Sequence, residues 1–170
     1  MGIVSFFKEA GEKLFGSKDA EAAAAAAAQA PSQAELQERS KQANAAAAAA
    51  IEKYIAAQSL SADGLRVEFD GASSKVTVAG VAPDQATKEK ILLCCGNVQG
   101  VASVADMMTV AQPADESQYH TVVRGDTLSA IAKKYYGNAN AYPKIFEANK
   151  PMLNHPDKIY PGQLLRIPPA

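Results

Sequence analysis

The chain has 170 residues, and 17 basic against 18 acidic side chains give it a formal net charge of -1. This balance excludes a general attraction to nucleic acid or to an anionic membrane surface. Because many of the apolar residues are alanine and tryptophan is absent, the composition favours one or two small domains over a single large core.

Acidic and basic residues are unevenly distributed along the chain. Residues 1–118 contain 10 basic and 15 acidic side chains, whereas residues 119–170 contain 7 and 3. A net negative first part and a net positive last part predict two modules.

The N-terminus lacks the features of a secretory signal. The apolar run that starts at Ile3 is interrupted by Lys8, and no small-residue cleavage site follows. No stretch of 18 strongly apolar residues is present either. We therefore expect a cytoplasmic protein without integral membrane contact. We also expect a monomer.

The first predicted element is an amphipathic helix within residues 1–20. Its apolar side chains recur at spacings of three and four residues, at Ile3, Phe6, Phe7, Ala10, Leu14 and Phe15. A membrane-surface helix is the alternative, but the polar side of this helix mixes basic and acidic residues instead of being basic. We favour packing of the helix on the protein's own core.

Residues 21–49 form an alanine-rich, low-complexity segment. Ser32 and Glu35 have the spacing of a capping box, which predicts a helix from about residue 32 to residue 58. Alanine has a high helix propensity but buries little surface. The apolar face is therefore expected only near the end of this helix, at Ile51, Tyr54 and Ile55.

Residues 50–111 are predicted to form a domain with the element order αββαβ. Alternating apolar residues at 65–69 and 76–81 indicate a β-hairpin after the end of the long helix. A second helix is expected to begin at Pro83 and Asp84 and to end at Gly96, and a third strand follows at about 101–110.

The two cysteines, Cys94 and Cys95, are adjacent in this second helix. Neighbouring cysteines cannot easily close a disulfide loop that stabilises a fold. Redox or soft-metal chemistry is the alternative, but cysteine in an apolar helical run usually acts as a small hydrophobic residue. We therefore predict two buried thiols.

After a polar linker at residues 112–118, residues 119–170 are predicted to form a second domain with the order βααβ. Its strands are expected at 120–123 and 164–167, and its helices at 127–136 and 141–149. Asp126 or Thr127 can cap the first of these helices, and Gly137 can end it. The predicted fold class is therefore α+β.

The last domain resembles a LysM domain in two motifs, YHTVVRGDTLSAIA at 119–132 and IYPGQLLRIP at 159–168. This resemblance implies binding of glycans that contain N-acetylglucosamine, as in peptidoglycan. The implied contact residues are Gly125, Asp126, Thr127, Leu128, Asn149, Ile159 and Tyr160. The same residue types also have a structural interpretation, as turn, cap and core residues, and we favour that interpretation.

Residues 50–111 resemble a BON domain through VAGV at 78–81 and VQGVASV at 98–104. The resemblance implies the same αββαβ order. BON domains are usually associated with phospholipids or membranes in exported proteins, which does not suit a chain expected in the cytoplasm.

Taken together, the N-terminal helix with FKEAGEKL at 7–14, the BON domain and the LysM domain resemble the family of bacterial cytoplasmic potassium-binding proteins. YGNAN at 136–140 and FEANKPML at 146–153 belong to the same resemblance. It implies a non-enzymatic protein that binds K+, and that senses or buffers potassium with ion-linked stabilisation of its domains. The alanine-rich segment departs from the family pattern.

A potassium site is best built from neutral oxygens such as backbone carbonyls. The chain has neither a calcium loop nor His/Cys metal spacing, and the last turn of a helix leaves carbonyls without partners at the negative end of its dipole. Two helix ends qualify, and the predicted ligands are the carbonyls of Phe7, Ala10, Glu12, Gly96, Val98 and Val101. Two ordinary helix ends that never meet are the alternative.

Two other functions compete with potassium binding. A cell-envelope adaptor that binds peptidoglycan through LysM is the main alternative. A hydrolase has little support, because His120 and His155 have no nucleophile or base pattern around them.

Overall fold

The structure, a computed structural model, describes residues 32–169. The helix predicted within residues 1–20 and the first eleven residues of the alanine-rich segment lie outside the described residues. The chain divides into two units, residues 1–40 and residues 41–170.

The first described helix, α1, comprises Gln33–Ala57, within one residue of each predicted bound. Its start has the predicted capping box: the Ser32 main-chain N–H donates to Glu35 Oε2 at 2.6 Å, and the Glu35 N–H donates to Ser32 Oγ at 3.2 Å. Only Ile51 and Ile55 are buried along the whole helix. The apolar face is therefore confined to its end, as predicted.

Three strands and one helix follow α1. They are β1 (Asp63–Asp70), β2 (Lys75–Asp84), helix α2 (Gln85–Gly96) and β3 (Ser103–Gln112). β1 and β2 form the predicted antiparallel hairpin, and β3 lies parallel to β2, so the sheet order is β1-β2-β3. Parallel strands need a crossover connection, which α2 provides.

Asp84 caps the start of helix α2, because its carboxylate accepts a hydrogen bond from the Thr87 N–H at 2.7 Å. Pro83, which was predicted to begin this helix, belongs to β2 instead. Its thiols, Cys94 and Cys95, are fully buried in a core shared with α1 and the sheet. Burial raises the pKa of both thiols to about 12. The interpretation of the two cysteines as buried core residues is confirmed.

The second half of the chain contains β4 (Gln118–Thr121), α3 (Leu128–Tyr136), a 3-10 turn (Ala139–Ala141), α4 (Tyr142–Ala148) and β5 (Leu164–Ile167). β4 and β5 form an antiparallel pair. The two helices pack on this pair around a second core, which includes Val122, Leu128, Ile131, Ile145 and Leu165. The α+β fold class is thus confirmed, with one small core in each domain.

The hydrogen bonds at the start of α3 show which of the two predicted residues is the cap. Thr127 is the cap, because its Oγ1 accepts from the Ala130 N–H at 3.1 Å. Asp126 instead accepts from the Val123 N–H at 3.0 Å and pairs with His120 Nε2 at 2.8 Å. At the other end Gly137 adopts a left-handed conformation with φ of 70° and ends the helix as predicted.

Candidate ion site and domain junction

Helix α2 ends at Gly96, and residues 96–101 lead from it to β3. The Asn97 N–H donates to the Leu93 carbonyl at 3.1 Å, and the Val98 N–H donates to the Cys95 carbonyl at 3.3 Å. These bonds satisfy two of the last carbonyls of the helix. The negative end of the helix dipole points toward residues 96–101, which favours a cation there.

The predicted ligand carbonyls of Gly96 and Val98 differ in their partners. The Val98 carbonyl accepts from the Val101 N–H at 3.1 Å, which closes a turn. A carbonyl has two lone pairs, so this bond leaves Val98 able to ligate an ion. Among the described residues, no main-chain N–H donates to the carbonyl of Gly96.

The two glycines of the segment have different conformations. Only Gly100 has a positive φ, of 92°. Gly96 is the last helical residue, and a Cβ there would lie 3.4 Å from Leu164 Cδ2. A Cβ at Gly96 would therefore make an ordinary contact with Leu164, whereas Gly100 is required for the turn.

An apolar cavity of about 540 Å³ adjoins the segment. Its other walls come from Ala47, Ala50, Ile51 and Tyr54 of α1 and from Phe69 of β1. These walls carry no charged side chain. The cavity is therefore apolar and uncharged along these walls.

Residue Asn97, between two predicted ligands, joins the segment to the second domain. Its Nδ2 donates to the Leu164 carbonyl at 3.0 Å, and its Oδ1 accepts from the Leu164 N–H at 2.8 Å. Asn149 does the same for Arg166 at the other end of β5, with both bonds at 2.8 Å. The segment is therefore hydrogen-bonded to the open edge of β5.

A buried polar cluster around Glu89 lies at the same junction. Glu89 Oε2 pairs with Arg166 Nε at 2.5 Å, and its Oε1 accepts from Gln85 Nε2 and from the Ser117 N–H, both at 2.8 Å. Burial acts to raise the pKa of Glu89, but these hydrogen bonds outweigh it and leave the pKa below its ordinary value. The carboxylate is therefore held in its charged form, facing a guanidinium.

The residues proposed for glycan contact have separate environments in the second domain. Gly125 (φ of 94°), Thr127 and Tyr160 are exposed at turns and a helix start. Leu128 is buried in the core, and Ile159 packs against the same core. Asn149 is 1% exposed, with its amide bonded to Ile145 and Arg166, so this amide is not presented at the surface.

Residues 32–169 contain no cluster of three or more His, Cys, Asp or Glu side chains suited to a metal ion. The same residues include no helix with the length and apolarity needed to cross a membrane. Phe7, Ala10 and Glu12, the other predicted potassium ligands, lie outside the described residues.

Comparison with known proteins identifies both domains. The BON domain matches residues 43–112, and the LysM domain matches residues 120–168. An uncharacterized protein of Deinococcus radiodurans is 43% identical over 82 residues, which are 42% of this chain and 32% of that protein. The potassium binding protein Kbp of Escherichia coli is 44% identical over 99% of this chain and 99% of its own. The chain therefore belongs to the family of the potassium binding protein Kbp.

Proposed function

We propose that this chain binds K+ and thereby senses or buffers potassium. The observation that supports this proposal most strongly is the 44% identity to a potassium binding protein over practically the full length of both chains. We further propose that the protein is a cytoplasmic monomer without enzymatic activity, in line with a relative named for binding and with two domains that are binding modules.

The ion is held by backbone carbonyl oxygens at the end of α2. Gly96, Val98 and Val101 lie within six residues, Gly96 has no main-chain donor among the described residues, and the negative end of α2 faces the segment. Neutral carbonyls suit potassium, which has a low charge density, better than carboxylates, which favour calcium or magnesium.

The remaining ligands are proposed to be the carbonyls of Phe7, Ala10 and Glu12. Because these residues would provide half of the coordination, deleting residues 1–12 is expected to remove the preference for potassium. An unchanged affinity in this deletion variant would assign the site to residues 96–101 and other groups.

Isothermal titration with potassium chloride and with sodium chloride, at constant ionic strength kept with choline chloride, tests the function. We expect a saturable heat with potassium and a much weaker one with sodium, because sodium is smaller and holds its water more tightly. Identical heats for the two ions would exclude a potassium-selective site.

Glycan binding through the LysM domain is the second candidate function, because the LysM match covers residues 120–168. Among the residues implied, Tyr160 is 52% exposed and offers an aromatic surface for a sugar ring. Sedimentation with insoluble peptidoglycan tests this function. Retention that is lost in Tyr160→Ala would support it, and no retention of the unmutated chain would exclude it.

A further inference from the structure

Strand β5 has one edge on β4 and one open edge. In an antiparallel pair, alternate residues turn their N–H and C=O groups toward opposite edges. The Gln163 carbonyl accepts from the Val122 N–H at 2.8 Å on the β4 side. Leu164 and Arg166 turn their main-chain groups to the other side, where no third strand of this sheet exists in the described part of the chain.

Two asparagine amides occupy that open edge. Each amide accepts from one main-chain N–H of β5 and donates to the carbonyl of the same residue, Asn97 at Leu164 and Asn149 at Arg166. Asn149 belongs to the LysM domain itself, but Asn97 belongs to the BON domain. The LysM strand therefore has part of its edge completed by the other domain.

Asn97 is also placed to respond to an ion. The peptide bond before Asn97 contains the carbonyl of Gly96, and the peptide bond after Asn97 leads to Val98. Gly96 and Val98 are both predicted ligands. Its own N–H is held by the Leu93 carbonyl at 3.1 Å. An ion that draws these carbonyls together fixes the main chain on both sides of Asn97, and so fixes where its amide lies.

We infer that Asn97 is a positioning residue that couples potassium at residues 96–101 to LysM strand β5. This inference rests on the proposed function. When the ion is bound, the Asn97 amide is held against Leu164; when the ion leaves, the amide is free to move and the Leu164 edge opens. Linkage is reciprocal, so the bond to Leu164 must also strengthen potassium binding.

The first test uses the unmutated full-length chain and follows hydrogen exchange of single amides by NMR. Saturating potassium is expected to slow exchange of the Leu164 N–H at least fivefold relative to choline at equal ionic strength. The Arg166 N–H, held by Asn149 within one domain, serves as the internal reference and is expected to change less. Potassium binding with no change at Leu164 would overturn the coupling and leave the proposed function intact.

The second test compares Asn97→Ala with Gln99→Ala by titration with potassium chloride. Gln99 lies in the same segment but, among the described residues, makes no side-chain bond to β5. We expect Asn97→Ala to bind potassium about tenfold more weakly, which is equivalent to about 1.4 kcal/mol. In this variant, potassium should no longer slow hydrogen exchange of the Leu164 N–H. In Gln99→Ala, the affinity for potassium should change less than twofold.

Equal affinities of Asn97→Ala and the unmutated chain would overturn the inference. If Asn97→Ala fails to fold, the exchange measurement on the unmutated chain still decides. Absence of potassium binding to the unmutated chain would overturn the proposed function, and this inference with it.

Discussion

Glu89 of α2 and Arg166 of β5, 77 positions apart in the chain, form a buried ion pair between the BON and LysM domains. Gln85 and the Ser117 N–H also donate to this carboxylate, so its charge is well compensated. The junction of the two domains therefore combines this buried ion pair with the two hydrogen bonds between Asn97 and Leu164. Both kinds of contact require a defined geometry.

Glu89→Gln is expected to destabilise the protein strongly. The substitution leaves Arg166, a residue only 8% exposed, without the counter-charge of its guanidinium. Breaking one side of a buried pair costs about 3 to 5 kcal/mol. Urea unfolding measures this loss. Glu68→Gln is the matched control, because Glu68 pairs with Arg66 at the surface, where such a pair contributes about 1 kcal/mol or less. Similar losses in both variants would contradict the assignment.

The junction is expected to weaken in acid. The pKa of Glu89 is lower in the folded protein than in the unfolded chain, so its stabilisation is complete above the unfolded pKa and is lost as the pH falls through the folded value. The difference in unfolding free energy between the unmutated chain and Glu89→Gln should therefore narrow as the pH falls below about 4. A difference that stays constant from pH 7 to pH 3 would exclude this titration.

The thiols of Cys94 and Cys95 are expected to resist modification in the folded protein. Both side chains are fully buried, and their pKa values of about 12 leave almost no thiolate at pH 8. Labelling with a disulfide reagent should be slow without denaturant and fast in urea. Rapid labelling of the folded chain would contradict their burial.

Gly100→Ala is expected to weaken potassium binding, whereas Gly96→Ala is expected to be tolerated. At Gly100 a Cβ meets no atom within 4 Å, but the φ of 92° strains any other residue, at a cost of about 1 to 2 kcal/mol. Gly96 has a helical conformation, and its Cβ would make an ordinary contact with Leu164. Titration with potassium chloride compares the two variants. Equal effects would show that the turn at Gly100 is not part of the site.

Local patterns were sufficient to predict most of the elements. The capping box at Ser32 and Glu35, the alternation in β1 and β2 and the glycine that ends α3 each depend on residues a few positions apart. The start of α3 was ambiguous for a physical reason, because Asp126 and Thr127 are both good caps. The structure separates them: Thr127 accepts from the Ala130 N–H, whereas Asp126 accepts from the Val123 N–H and pairs with His120.

The domain junction could not be predicted from the sequence. Asn97 and Leu164 are 67 positions apart, and neither an asparagine after a helix nor a leucine in a strand indicates such a partner. In the sequence, Glu89 is one of several charged residues of α2. No local pattern indicates that Glu89, and not Lys88 or Lys90, is buried. Burial of a charge depends on tertiary packing, which periodicity does not encode.

The potassium-dependent rise in melting temperature tests the central claim most directly. A ligand that binds only the folded state stabilises it by about 2.7 kcal/mol at a hundredfold excess over Kd, which corresponds to roughly 5 to 10 °C for a chain of this size. We expect a rise of this order in saturating potassium chloride and a much smaller one in sodium chloride at the same ionic strength. Equal rises in the two salts would contradict potassium binding as the function of this protein.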